Sequence, residues 1–430
     1  DWDHAYDALQ KTLDGGDKIL RTEPSKRTRK QQDAITDHFI ANYHRVISKE
    51  LWKELKWTEL RKKLNELADA FPALSQAQTM AEEETPRQTF IAIRGDYRRR
   101  GIEVQPGFPA ALHSPPSDVR PSRLTLAKWL VARENPLTSR VTVNRIWQEY
   151  FGRGLVRTSE DFGMQGEKPS HPELLDYLAS EFIRRNWSLK QLSRLIVTSA
   201  VYRQSSKARP ELLTRDADNA LLARQARLRL PAELIRDSAL AVSGLLYPVV
   251  GGRSVRPPQP AGLTELGYAS QLKWSESQGK DRYRRGLYIL FQRTVPYPQL
   301  LNFDAPDATM ASCRRERSNT PLQALNLLND PVFVEAAQAL AARVLGEAPG
   351  NFNDRLDHAF RLCLMRQPSP RDREHLAAYY ETQKRMLDKE PKSVEAIFPA
   401  DLDGVNRTEA AAWVGLCSVL LNLDEFITRE

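Results

Sequence analysis

The chain has 430 residues, 41% of them hydrophobic and 27% charged, with a formal net charge of +8 and a mean hydropathy of -0.53. That composition excludes a disordered or fibrous protein, and no stretch reaches the ~18 apolar residues of a membrane span. The three cysteines, Cys313, Cys363 and Cys417, lie far apart, which excludes a disulfide scaffold, a C-x-x-C-H haem attachment site and a Cys-rich zinc site.

The first 78 residues read as helices. Trp2, Ala5, Leu9 and Leu13 repeat at helical spacing, as do Ile35, Phe39, Ile40, Tyr43 and Val46, then Leu51, Leu55, Leu60, Leu64 and Leu67. The chain opens Asp1-Trp2-Asp3 without an initiator Met, as expected of a processed or excised piece. The run Thr89-Phe90-Ile91-Ala92-Ile93 predicts a short strand. Residues 103–122 hold Pro106, Pro109, Pro115, Pro116 and Pro121, so an extended loop and an organisational break are expected there. Helices return from Leu124 to about Val201, with Gly152 placed to end the one that carries Val143, Ile146, Trp147 and Tyr150. Ser170 with Glu173, and Ser188 with Gln191, match the capping-box spacing. Residues 247–283 are loop-rich, and Leu287–Phe291 predicts a buried strand or extended segment. The last third is helical, with starts at Thr320-Pro321, Asp330-Pro331 and Ser369-Pro370 and a small, apolar helix over Ala410–Leu421. The fold class expected is mainly α: a multi-helix globular domain with a few short strands and long proline-rich loops.

Charge is unevenly spread. Residues 184–317 hold 23 Lys and Arg against 11 Asp and Glu, and 19 of the 23 are Arg. Arginine's planar fork suits bidentate contact with carboxylate, sulfate or phosphate, and it equally caps backbone carbonyls inside a fold. No zinc-finger, basic-zipper or aromatic RNA-binding pattern occurs, so nucleic acid is not an expected partner.

Several groups of residues are candidates for chemistry. Asp304 and Asp307 flank Pro306 and fit either a hard-cation site or split acid and base roles. His171, ten residues after Asp161, fits a general base or a first-turn helix residue. Arg140, Asn144 and Arg145 lie at helical spacing beside Trp147, a polar-plus-aromatic set that suits a carbohydrate or a helix interface. Arg314 and Arg315 follow Cys313 as an anion-binding candidate. No metal-ligand spacing and no nucleophile, phosphate-loop or dinucleotide pattern is found.

Five motifs follow one another along the chain: Arg94-Gly95-Asp96-Tyr97 with Val104-Gln105-Pro106-Gly107; Asn135 to Trp147; Ser170-His171-Pro172-Glu173-Leu174-Leu175-Asp176; Trp187-Ser188-Leu189-Lys190 with Tyr202-Arg203-Gln204-Ser205; and Phe303-Asp304-Ala305-Pro306-Asp307 with Thr320 to Asn329. In this order they resemble the C-terminal domain of planctomycete cytochrome-associated multidomain proteins, a family of unknown function, over about residues 85–430. The resemblance implies an exported, extracytoplasmic protein in a polysaccharide-utilisation and electron-transfer setting. Any haem c then belongs to an upstream region or a partner chain, with no cofactor and no metal in this one. Residues 1–85 are expected to be a helical lead-in docked on the main domain or on an upstream domain, and 86–430 the family domain. Two function classes stay open: a structural docking module that binds acidic polysaccharide, and a polysaccharide hydrolase or lyase using the Asp and His candidates.

Overall fold

A computed structural model describes residues 16–46, 49–70, 77–81, 87–115, 121–260, 274–348, 350–399 and 404–429. Among them 18 α-helices and two small two-stranded sheets form, so the chain is mainly α. It divides into two units, residues 1–105 and 106–430, and the division falls within the proline-rich stretch. The helix expected over Trp2–Leu13 lies outside the described residues.

In the first unit, α1 (Gly16–Arg21), α2 (Arg29–Val46), α3 (Lys49–Glu54) and α4 (Trp57–Ala70) precede a hairpin. Trp57 packs edge-on to Phe39 with ring centroids 5.6 Å apart, while Leu60, Leu64 and Leu67 stay exposed on α4. The expected strand is β1 (Thr89–Ala92), and it pairs antiparallel with β2 (Arg100–Val104). Only β1 was legible in the sequence. Arg98-Arg99-Arg100-Gly101 breaks the apolar alternation that would have announced its partner.

The second unit has two apolar cores. One forms where α6 (Thr138–Phe151), α7 (Pro172–Arg184) and α8 (Leu189–Val197) bury Val143, Trp147, Phe151, Leu178, Phe182 and Leu192; α5 (Arg123–Leu130) precedes them and α9 (Pro210–Arg215) follows. Local chemistry sets these boundaries. Gly152 caps α6 at φ 75°, and an added Cβ there would come within 2.3 Å of the Leu228 side chain, so only glycine fits. Ser188 accepts the N–H of Gln191 at the start of α8. Ser170 does not cap α7: Pro172 takes the first helical position, which puts His171 at the N-cap.

The larger core joins α10 (Ala232–Ser243), α11 (Pro298–Asn302), α12 (Pro321–Asn329), α13 (Pro331–Glu347), α14 (Phe352–Leu364), α15 (Pro370–Leu387), α16 (Pro391–Ile397), α17 (Arg407–Leu421) and α18 (Asp424–Ile427). Ala336, Ala337 and Ala341 on α13 and Ala410, Ala411 and Ala412 on α17 are all buried. Such small side chains allow close helix approach, and Trp413 fills the space beside them, fully buried against Phe352 and Tyr380. The cap at Ser369 is reciprocal: its hydroxyl accepts from Asp372 N, and the Asp372 carboxylate accepts from Ser369 N at 2.9 Å. Cys363 and Cys417 lie on helices and Cys313 in a loop, all three as free thiols. Burial pushes the Cys363 thiol up to about 12 and Cys417 well above its usual value. The second sheet pairs β3 (Leu228–Arg229) with β4 (Thr428–Arg429). The expected segment 287–291 is a short 3-10 turn followed by an isolated parallel bridge between Val255 and Ile289.

Several arginines of the basic middle hold backbone, and others pair with carboxylates. Arg224 donates to Ala217 O at 2.8 Å. Arg284 donates to the carbonyls of Arg253, Val249 and Gly251 and lies 3.8 Å from the Tyr288 ring centre. Arg236, with no exposed surface, donates to Arg284 O and to Arg282 O at 2.9 Å. Burial lowers the pKa of its guanidinium, against the raising effects of Tyr297, Asp237, Asp330 and Glu335. The Arg236→Leu substitution leaves the carbonyls of residues 282 and 284 without that donor and removes a buried cation whose field reaches Asp237 and Asp330. It is expected to cost about 3–5 kcal/mol. Urea unfolding checks this: the midpoint should fall sharply, and an unchanged midpoint would contradict the assignment.

Candidate functional site

The site grows from the segment Cys313-Arg314-Arg315-Glu316-Arg317-Ser318, which is pinned at both ends. At its start, Arg145 Nη2 donates to Cys313 Sγ and Gln148 Nε2 to Cys313 O, each at 3.4 Å. Gln148 is aimed by Ser159, whose hydroxyl donates to its Oε1 at 2.5 Å. At its end, the Asp304 carboxylate accepts from Ser318 N and Ser318 Oγ, both at 2.8 Å. Arg229 closes the same knot by pairing with Asp304 and donating to Ser318 O at 3.1 Å. Asp304 adopts φ 61°, a left-handed conformation that aspartate tolerates better than most side chains.

This anchored segment forms one wall of a cavity of about 340 Å³ lined by Gln148, Glu149, Gly152, Leu228, Arg314, Arg315, Glu316 and Arg317. A neighbouring hollow of about 430 Å³ shares Glu149 and Arg315 and adds Glu233, Asp237, Arg285 and Leu287. Arg315 pairs with Glu233 at 2.7 Å and Arg314 with Glu316 at 3.2 Å. Arg285 pairs with Asp237 at 3.3 Å. Arg317, half-buried, makes no hydrogen bond or ion pair through its side chain with any described residue. Burial lowers its pKa; Glu149 opposes that, and Arg429 and Arg315 add to it. An arginine keeps its charge under such a shift, so the cavity presents a fixed cation.

The structure brings some of the sequence candidates to this place and not others. Arg314 and Arg315 line it, Arg145 holds Cys313 at the start of the segment, and Asp304 holds its end. Asp304 therefore spends its oxygens on Ser318 and Arg229. Asp307 is exposed and accepts from Thr309 N and Oγ1, which lower its pKa. Asn144 points inward instead, fully buried, with Nδ2 donating to Val156 O and Oδ1 accepting from Val156 N. Trp147 is core, stacked on Phe151 at 4.2 Å. Arg140 pairs with Asp176 at 2.6 Å. His171 Nδ1 lies 3.0 Å from Ser170 Oγ, and Asp161 Oδ1 accepts from Gly163 N. Neither lines the arginine cavity. Among the described residues no group of His, Cys, Asp and Glu could hold a metal ion.

Sequence reasoning missed Glu149 and singled out Arg317 only as one arginine among many. Glu149 lies four residues after Arg145 on the same helix, and that spacing was the available signal.

Residues 122–380 match the family model described as PSD1, a protein of unknown function (DUF1553). The chain belongs to the PSD1 family. The match spans every residue that lines the arginine cavity. No curated protein and no solved structure matches the chain.

The Asp304→Asn substitution keeps the shape and the left-handed tolerance but loses the charge that holds Ser318 and Arg229. We expect a loss of about 1–3 kcal/mol. Trypsin should also cut faster at Arg314, Arg315 and Arg317. Cutting at the wild-type rate would show that Asp304 does not anchor the segment.

Proposed function

We propose that this PSD1 chain is the non-haem docking module of an exported, extracytoplasmic, cytochrome c-type multidomain protein, and that it binds acidic polysaccharide. In this reading the haem sits in an upstream region or a partner chain. The planctomycete-type setting comes from the order of the five sequence motifs. The ligand class is carried by one observation: Arg317 lines a cavity of about 340 Å³ without a direct partner of its own. The other basic groups there are already paired with carboxylates. A guanidinium left open in a concave, half-buried place suits an anionic group with fork geometry.

The acid–base alternative finds less support. Asp304 is committed to anchoring, and His171 and Asp161 keep local partners.

Binding of the purified chain to polygalacturonate, dextran sulfate and neutral dextran at low salt tests the reading. At least one acidic glycan should bind, weaken as salt rises, and lose about tenfold or more with Arg317→Gln, the worth of a charge-assisted contact. That variant should unfold at the wild-type temperature, because Arg317 supports no other group. Absence of binding to both acidic glycans would remove the proposal.

A further inference from the structure

The arginine cavity holds one uncommitted cation and one uncommitted anion. Glu149 and Arg317 line the same space. Neither side chain makes a hydrogen bond or ion pair with any described residue. Each acts on the other only at longer range, through the field that Glu149 exerts on the Arg317 guanidinium. Oppositely charged side chains that share a cavity without closing on one another leave room for a molecule that satisfies both.

That molecule must offer an anionic group to the guanidinium and O–H or N–H donors to the carboxylate, since an ionised carboxylate only accepts. The charge count narrows it further. Among the lining residues Arg314 is matched by Glu316 and Arg315 by Glu233, so Arg317 and Glu149 balance one another, with Arg429, held on the Glu149 and Tyr150 carbonyls, as one further cation close to Arg317. A densely sulfated chain would bring several charges against Glu149 and Glu316, and like charges at short range are unfavourable. A single carboxylate on a ring rich in hydroxyls meets both demands. Leu228 adds an apolar wall for ring C–H groups, and the volume lies at the small end of ligand sites, which suits one or two sugar units.

We propose that the cavity is a hexuronate subsite: the sugar carboxylate lies on Arg317, and ring hydroxyls donate to Glu149, which sets specificity against sulfated glycans. This rests on the acidic-polysaccharide reading above and deepens it.

Calorimetric titration of the whole chain tests it, with trigalacturonate, its methyl ester and a sulfated maltotriose at one ionic strength. The wild type should favour trigalacturonate over the sulfated sugar by about tenfold and should not bind the ester. Arg317→Gln should lose the trigalacturonate. Glu149→Gln should bring the two acidic sugars to within about threefold, chiefly by tightening the sulfated one. If the wild type takes the sulfated sugar as tightly and Glu149→Gln changes nothing, the uronate subsite is wrong while acidic-glycan binding stands. If neither acidic sugar binds, both readings fall.

Discussion

Arg236 is the constraint on which the second unit depends. Its guanidinium lies wholly inside the protein and reaches from α10 to the carbonyls of residues 282 and 284. Residues 279–291 form only short 3-10 turns and extended links, so their backbone groups need partners that no helix or broad sheet supplies. Arg236 provides two of them. Asp237, the next residue, accepts from Gly286 N at 2.6 Å. Gly286 sits so close to α10 that an added Cβ would lie 2.9 Å from Glu233 Cα. One turn of α10 thus carries the residues that fix this segment and, through Glu233, steady Arg315.

The same side-chain type then does two kinds of work. Arg224, Arg236 and Arg284 face carbonyls and substitute for secondary structure. Arg314, Arg315 and Arg317 sit on a segment pinned at Cys313 and Ser318, where two of the three are matched by acidic neighbours and one is not. The basic middle of the chain therefore reflects internal scaffolding for the most part. Arg317, the position proposed for an anionic ligand, lies on that segment between the two apolar cores of the second unit. The anchors come from both sides: Gln148 and Arg145 lie on α6 of one core, and Glu233 lies on α10 of the other.

What the sequence disclosed follows from the range of the interactions involved. The Ser369 cap and the Gly152 stop involve partners within four residues or a single backbone angle, and both were legible. The mainly α class followed from apolar spacing in the same way. Ser170 was misread because Pro172 shifts the first helical position by one residue. Asn144 looked like a surface donor on α6, yet it serves the backbone of Val156, twelve residues on. The cavity itself could not be read from spacing: besides Asp304, the partners of residues 313–318 lie at the distant positions 145, 148, 229 and 233, and nothing local to Arg317 distinguishes it from Arg236.

The central claim is that arginines alike in sequence are unlike in availability. Nuclear magnetic resonance of the arginine Nε–Hε groups, recorded while trigalacturonate is added, tests this most directly. The Arg317 resonance should shift progressively with ligand, while those of Arg236 and Arg284 stay fixed. An Arg317 resonance that does not move, or equal movement at all three, would contradict the account.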